Sequence, residues 1–199
     1  MVLFEGSISK ANGFSLINRS FLVTGGTKGI GRATARDLLS CGASTVIICS
    51  RTDADVQRTV LDLNAEFTSS SNERNRVHGV SCDVSTGSGR DKLLRAVTED
   101  ILLPSESGHS SFQLDGLINN VGVNVRKSLG EQTSEEYQNI IRTNIDSVYF
   151  LCKIFHPLLK RSPSAQTAAN GCGGFACGGA TIVNVSSAAG VKSSGTGAA

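Results

Sequence analysis

The chain has 199 residues, of which 39% are hydrophobic and 18% charged, and its net charge is +2. That length bounds a single domain with a sizeable core, and that composition is a soluble, globular one. The near-neutral charge gives no electrostatic basis for nucleic-acid or membrane-surface partners, and no apolar run approaches the roughly 20 residues of a membrane span. Residues 1–14 lack the basic and long apolar regions of a secretory signal. Of the six cysteines, Cys41, Cys49, Cys82 and Cys152 fall in expected helices and strands, where a thiol behaves as a small hydrophobe. Cys172 and Cys177 stand in a Gly-rich loop and could form a disulfide or half a zinc site. No second ligand pair stands at metal spacing, so no metal site is expected, and a reduced cytoplasmic chain is the expectation.

After a short lead-in, in which Phe14, Leu16 and Ile17 are expected to cover the bottom of a sheet, a short apolar run ends in Thr24-Gly-Gly-Thr-Lys-Gly-Ile-Gly31. Strand, Gly-rich turn and helix in that order bind the pyrophosphate of a dinucleotide. Gly25 can take backbone angles that a side chain forbids, and Gly29 and Gly31 let the chain approach a phosphate and let the helix pack on the strand. The helix N-terminus offers unpaired N–H groups and partial positive charge. A mononucleotide P-loop needs Lys directly after its last Gly; here Lys28 precedes Gly29, which opposes that reading.

The first helix is expected from Gly29 to Cys41, burying Ile30, Ala33, Thr34, Leu38 and Cys41, with Gly42 past its end. Thr45 to Cys49 reads as a strand covered on both faces. Asp53 can cap the next helix, whose stripe is Val56, Val60, Leu63 and Phe67. A polar loop over 69–75 leads to a third strand, Val77–Cys82, which ends in Asp83. A helix from about Ser88 buries Leu94, Val97 and Ile101 and is stopped by Pro104, with a loop after it. A fourth strand within Leu114–Asn119 runs into Asn119-Asn-Val-Gly122. Thr133, Ser134 and Glu136 resemble a helix start. The long helix that follows carries one stripe of Tyr137, Ile141, Asn144, Val148, Leu151 and Phe155, and Pro157 bends or ends it. Residues 161–179 read as a long flexible loop, Thr181–Val185 as a fifth strand, and Ser186-Ser-Ala-Ala-Gly190 follows.

Strands alternating with helices predict an α/β domain, a Rossmann-type doubly wound parallel sheet of order 3-2-1-4-5 spanning 1–199. The first turn, Arg51, Asp83, Asn119 and Ser187 all fall at C-terminal strand ends, where such a sheet binds its ligand. At the second strand end an NAD site places an acid for the ribose hydroxyls. Ser50-Arg51 stands here instead, and a guanidinium pairs with a 2′-phosphate, so with Lys28 as a second cation the charges favour NADP(H). Asp53 as an acid serving NAD is the competing reading. A methyltransferase on a related fold would need an acid where Arg51 stands.

The motifs Thr24–Gly31, Asn119–Gly122, Asn144 and Val185–Gly190, in that order on those elements, resemble the short-chain dehydrogenase/reductase family over about residues 14–199. Val121 and His156-Pro-Leu-Leu-Lys160 are most similar to its tropinone-reductase-like branch. The resemblance implies an NADP(H)-dependent oxidoreductase moving hydride between nicotinamide and a ketone or secondary alcohol. It implies cofactor binding by Gly25, Thr27, Lys28, Gly29, Ile30, Gly31, Arg51, Asp83, Val84, Asn119 and Gly122. In it Asp83 accepts from the adenine amino group and Asn119 and Gly122 lie against the adenine ribose, while Asn120 has a structural part. Ser187 polarises the substrate carbonyl and Asn144 holds a water in a proton relay. Plainer readings are a helix cap for Asp83, a backbone-bonded amide for Asn144 and a strand cap for Ser187.

The family also requires Tyr-x-x-x-Lys a short way beyond that Ser. Tyr137 and Tyr149 both precede Ser187, and neither is followed by Lys four positions on. The expectation is therefore a chain cut before the motif, with an exposed fifth-strand edge and an exposed long-helix face. Such a chain holds cofactor, turns over no substrate and is poorly soluble or partly unfolded. The alternative is a truncated, non-catalytic dinucleotide-binding protein. The full-length family member is expected to act on a small carbonyl substrate as a homo-oligomer paired through the long helix.

Overall fold

The computed structural model describes residues 15–67, 75–102, 113–159 and 179–187. Expectations for Phe14, Cys172, Cys177, Gly190, Pro104 and the loops at 68–74, 103–112 and 160–178 lie outside them. Strands β1 (Ser20–Thr24), β2 (Thr45–Ser50), β3 (Val77–Ser81), β4 (Gly116–Asn119) and β5 (Thr181–Asn184) form one sheet of order β3-β2-β1-β4-β5. Every pairing is parallel, in the order the sequence predicts. Their β-branched and apolar runs suit a sheet covered on both faces.

Each face has its own core. Leu22, Ile47, Cys49, Val80 and Leu117 pack with Leu93, Val97, Leu151 and Phe155. Phe21, Val23, Val46, Ile48 and Val77 pack with Ala35, Leu39 and Leu63 on the other side. Burial of each valine, leucine, isoleucine or phenylalanine among them stabilises the fold by about 1.5–3 kcal/mol.

Helix α1 (Gly29–Ser40) buries Gly31, Ala35 and Leu39, and Ile30 is exposed. This corrects the expected face by one residue. Gly31 sets it: a Cβ there would sit 2.3 Å from the Gly25 carbonyl oxygen, so this position can lie against the strand only as glycine. Gly42 takes φ +92° past the helix end, as expected. Helix α2 (Asp53–Phe67) starts with Asp53 inside its first turn, so Asp53 is not the cap. Val56, Thr59 and Leu63 are its buried positions.

Helix α3 (Gly87–Arg95) runs into a π-helical segment, Ala96–Ile101, and Leu93 rather than Leu94 is its innermost leucine. The expected long helix is three pieces: α4 (Ser134–Ile141), a π-helical turn (Arg142–Asp146) and α5 (Ser147–Leu159). The wider turn resets the face, so the buried stripe is Ile140, Thr143, Ser147, Leu151, Phe155 and Leu159. Tyr137, expected in the stripe, is exposed. Pro157 does not end α5, which reaches Leu159. The expected start is present as a capping box, with Glu136 N donating to Thr133 Oγ1 and Thr133 N to Glu136 Oε2.

Strand β5 lies at the sheet edge with all four residues exposed, and Ile182 and Val183 keep 45% and 44% of their surface. Ile145 and Tyr149 are exposed on the long-helix face. Among the described residues the outer edge of β5 and this helix face are thus exposed, in keeping with the expectation. No helix among the described residues is long and apolar enough to cross a membrane.

Candidate dinucleotide site

The C-terminal ends of β1, β2, β3 and β4 open into one crevice. It is lined by Gly25, Thr27 and Lys28 from the first turn, Arg51 and Asp55 after β2, Asp83 and Val84 after β3, and Asn120–Val123 after β4. Of the expected cofactor residues, Gly25, Thr27, Lys28, Arg51, Asp83, Val84 and Gly122 are brought together here. Gly29, Ile30, Gly31 and Asn119 are not in the lining, and neither are Asn144 and Ser187.

The turn is built for close approach. Gly25 and Gly29 have φ +66° and +54°, the left-handed region that favours glycine. A Cβ on Gly29 would meet nothing within 4 Å, so that face of the turn is open. Gly31 anchors its other side, where a Cβ would also lie 2.5 Å from Asn120 Nδ2. Lys28, at the α1 cap position, is extended and makes no side-chain cap, and no acid stands in the first turn. The first N–H groups of α1 therefore keep their partial positive charge, directly after Lys28, which lines the crevice.

Asn120 and Thr24 lock the turn to β4. Asn120 Nδ2 donates to the Thr24 carbonyl at 2.9 Å, and Asn120 N and Val121 N donate to Thr24 Oγ1 at 2.9 and 3.2 Å. Asn119 points elsewhere: it is buried, and its Nδ2 donates to Asn184 Oδ1 at 2.9 Å, which ties β4 to β5.

Arg51 and Lys28 are exposed at the rim and form no ion pair among the described residues. Asp83 Oδ1 accepts from Ser85 N at 3.0 Å and from Ser85 Oγ at 2.7 Å. The cap of α3 is Thr86, whose Oγ1 accepts from Gly89 N at 3.0 Å, so Asp83 is not the cap. Val84 forms an apolar wall, and its carbonyl accepts from Arg90 Nη1 at 2.8 Å while that guanidinium lies 4.6 Å over the Phe150 ring.

Cys49 and Cys82 lie on the floor. The Cys82 thiol and burial push the Cys49 thiol well above its ordinary value, and the hydrogen bond from Cys49 pulls Cys82 below its own. Both are free, like the half-buried Cys41 and Cys152, and no metal-binding cluster is present among the described residues.

Asn144 sits in the π-helical turn. Its Oδ1 accepts from Val123 N at 2.8 Å and its Nδ2 donates to the Val123 carbonyl at 2.9 Å. That pair fixes the strand-end loop on the long helix. Ser187 follows β5 and is exposed.

Sequence reasoning passed over Asp55, Val123 and Thr143 in the lining. Thr143 and Val123 carried a usable signal: one precedes Asn144 and the other follows Gly122. Asp55 carried none apart from its nearness to Arg51.

A family model for the short chain dehydrogenase matches residues 19–199. A tropinone reductase homolog of Arabidopsis thaliana is 40% identical over 149 residues, covering 75% of this chain and 50% of the relative. One of Datura stramonium is 37% identical over 159 residues, covering 79% and 52%. The RhlG/NADP active-site complex of Pseudomonas aeruginosa superposes with TM-score 0.67 at 27% identity, covering 90% of this chain and 59% of that one. L-sorbose reductase from Gluconobacter frateurii, complexed with NADPH and L-sorbose, shares the fold with TM-score 0.60 at 21% identity, covering 72% and 48%. This chain belongs to the short-chain dehydrogenase family, in its tropinone-reductase-like branch. It spans about half the length of the curated relatives it matches.

Proposed function

We propose that this chain is the NADP(H)-holding part of a ketone reductase or alcohol dehydrogenase. The observation that carries the reading is the uncapped N-terminus of α1, which follows directly on Lys28 in the lining of a crevice that Arg51 also lines, neither cation being in an ion pair among the described residues. The donor set fits the group. Backbone N–H groups and the open face of Gly29 suit a pyrophosphate, Arg51 and Lys28 suit a 2′-phosphate, and Val84 and Val121 suit an adenine. RhlG, at 27% identity, is seen with NADP, which supports the same cofactor here.

The bound cofactor supplies or takes up hydride at the nicotinamide. Around it, Asp83 accepts from the adenine amino group, and Gly25, Thr27, Ile30 and Gly31 shape the pyrophosphate seat. Asn119 and Gly122 hold the β4 end beside the ribose. Ser187 donates to the substrate carbonyl oxygen and polarises it. Asn144 fixes the Val123 loop against the long helix beside the proton relay that the resemblance assigns to it. Proton donation needs an acid that neither tyrosine supplies: Tyr137 and Tyr149 keep 49% and 62% of their surface on the long helix, and neither lines the crevice. The 199-residue chain therefore binds cofactor without turnover. The exposed Ile145 and Tyr149 support pairing of two copies through that helix.

The test is calorimetric titration with NADPH and NADH, followed by NADPH absorbance over a ketone panel. NADPH binding tighter than NADH, with no absorbance loss, is expected. Equal affinities overturn the NADP assignment, and steady NADPH oxidation by this chain overturns the inactivity.

A further inference from the structure

The crevice is lined by two carboxylates as well as two cations, Asp55 and Asp83 against Lys28 and Arg51. Asp83 belongs to the adenine side, after β3. Asp55 stands in the first turn of α2, four residues beyond Arg51, and is half-buried. The acid that sequence reasoning weighed as a ribose acceptor, Asp53, accepts from Gln57 and is not in the lining. Asp55 is thus the carboxylate that shares the second strand end with Arg51. Unopposed, it would accept hydrogen bonds from ribose hydroxyls and repel a 2′-phosphate.

It is opposed. Arg58, one helical turn on, donates from Nη2 to Asp55 Oδ1 at 2.8 Å. Side-chain exposures of 70% for Arg58 and 36% for Asp55 make this an ordinary surface pair in strength. Its place matters more than its strength, because it decides whether the crevice presents a free or a neutralised acid beside Arg51.

The geometry points to Arg58 as a specificity-determining residue that acts through Asp55: it holds the carboxylate neutralised and so tilts the crevice toward the 2′-phosphorylated dinucleotide. This deepens the cofactor reading above and rests on it. Arg58 touches no cofactor in this account, so its effect must vanish when Asp55 loses its charge.

The experiment is a double-mutant cycle on the 199-residue chain: unaltered, Arg58→Ala, Asp55→Asn and both together, each titrated with NADPH and NADH. The readout is the ratio of the two dissociation constants. Loss of folded protein lowers both affinities alike and leaves that ratio unmoved. Arg58→Ala is expected to reduce the preference for NADPH about two- to fivefold, in keeping with an exposed pair. Asp55→Asn is expected to raise it, and the double variant to match Asp55→Asn alone. Added salt should shrink the Arg58→Ala effect. An unchanged ratio in Arg58→Ala overturns the inference. So does an Arg58→Ala effect that persists undiminished in the Asp55→Asn background, since Arg58 would then act as a free surface charge. Arg51→Ala separates the two readings. If it erases the preference while Arg58→Ala does nothing, this inference alone falls. If Arg51→Ala leaves NADPH affinity unchanged, or no protein binds either cofactor, the NADP reading falls and this inference with it.

Discussion

Helices α1 and α3 both begin just past the C-terminal end of a parallel strand, and they treat their first N–H groups in opposite ways. Helix α3 satisfies its own through Thr86, and α4 does so through its capping box. Helix α1 starts from an extended Lys28 with no cap and no acid in its first turn. A cap contributes about 1 kcal/mol, so leaving one out costs stability unless something else meets those donors. The contrast shows where the fold gives up local stability, and that place adjoins the crevice that Lys28 and Arg51 line.

The comparison can be broken at several points. The largest effect is expected from Gly31→Ala. Its Cβ would lie 2.3 Å from the Gly25 carbonyl oxygen and 2.5 Å from Asn120 Nδ2, so the α1 turn must shift. Destabilisation of about 3 kcal/mol with loss of NADPH binding is expected, read by thermal unfolding and titration; an unchanged midpoint would show that the turn yields easily. Next is Arg51→Asp, which should weaken NADPH binding by about 2 kcal/mol and favour NADH. Thr86→Ala should cost about 1 kcal/mol in denaturant unfolding yet leave the NADPH affinity of the folded chain as it was, because α3 needs its cap only for itself. Smallest is Lys28→Ser, which gives α1 the cap that α3 has. The empty chain should gain about 0.5 kcal/mol while NADPH binds several-fold more weakly. A gain in both would mean that the open N-terminus serves no anion.

Much of this was legible in the residues. The strand order followed from the alternation of apolar runs and helical stripes, and the crevice from the polar and Gly-rich strand ends. Burial was less legible. Thr45-Val-Ile-Ile and Thr181-Ile-Val share one character, yet β2 is sealed and β5 is exposed, because burial depends on neighbours rather than on the strand itself. The α1 face was misjudged because a hydrophobicity pattern ranks Ile30 above Gly31, while the close approach of backbones admits only glycine. The π-helical turns leave no periodic trace, so the expected stripe is one residue out of phase at Ile141, Asn144 and Val148, while Leu151 and Phe155 are buried as expected. Asn119 and Asn120 could not be told apart by type; only the pairing of β4 with β1 and β5 decides that Asn120 meets the turn and Asn119 meets Asn184.

The central claim is that the uncapped turn and its two cations form a seat for a 2′-phosphorylated dinucleotide. Equilibrium titration of the 199-residue chain and its Arg51→Asp variant with NADPH and NADH tests it most directly. The account predicts saturable one-to-one binding of NADPH, tighter than NADH, with that order reversed in the variant. Dissociation constants for both cofactors that are unmoved by Arg51→Asp would contradict it.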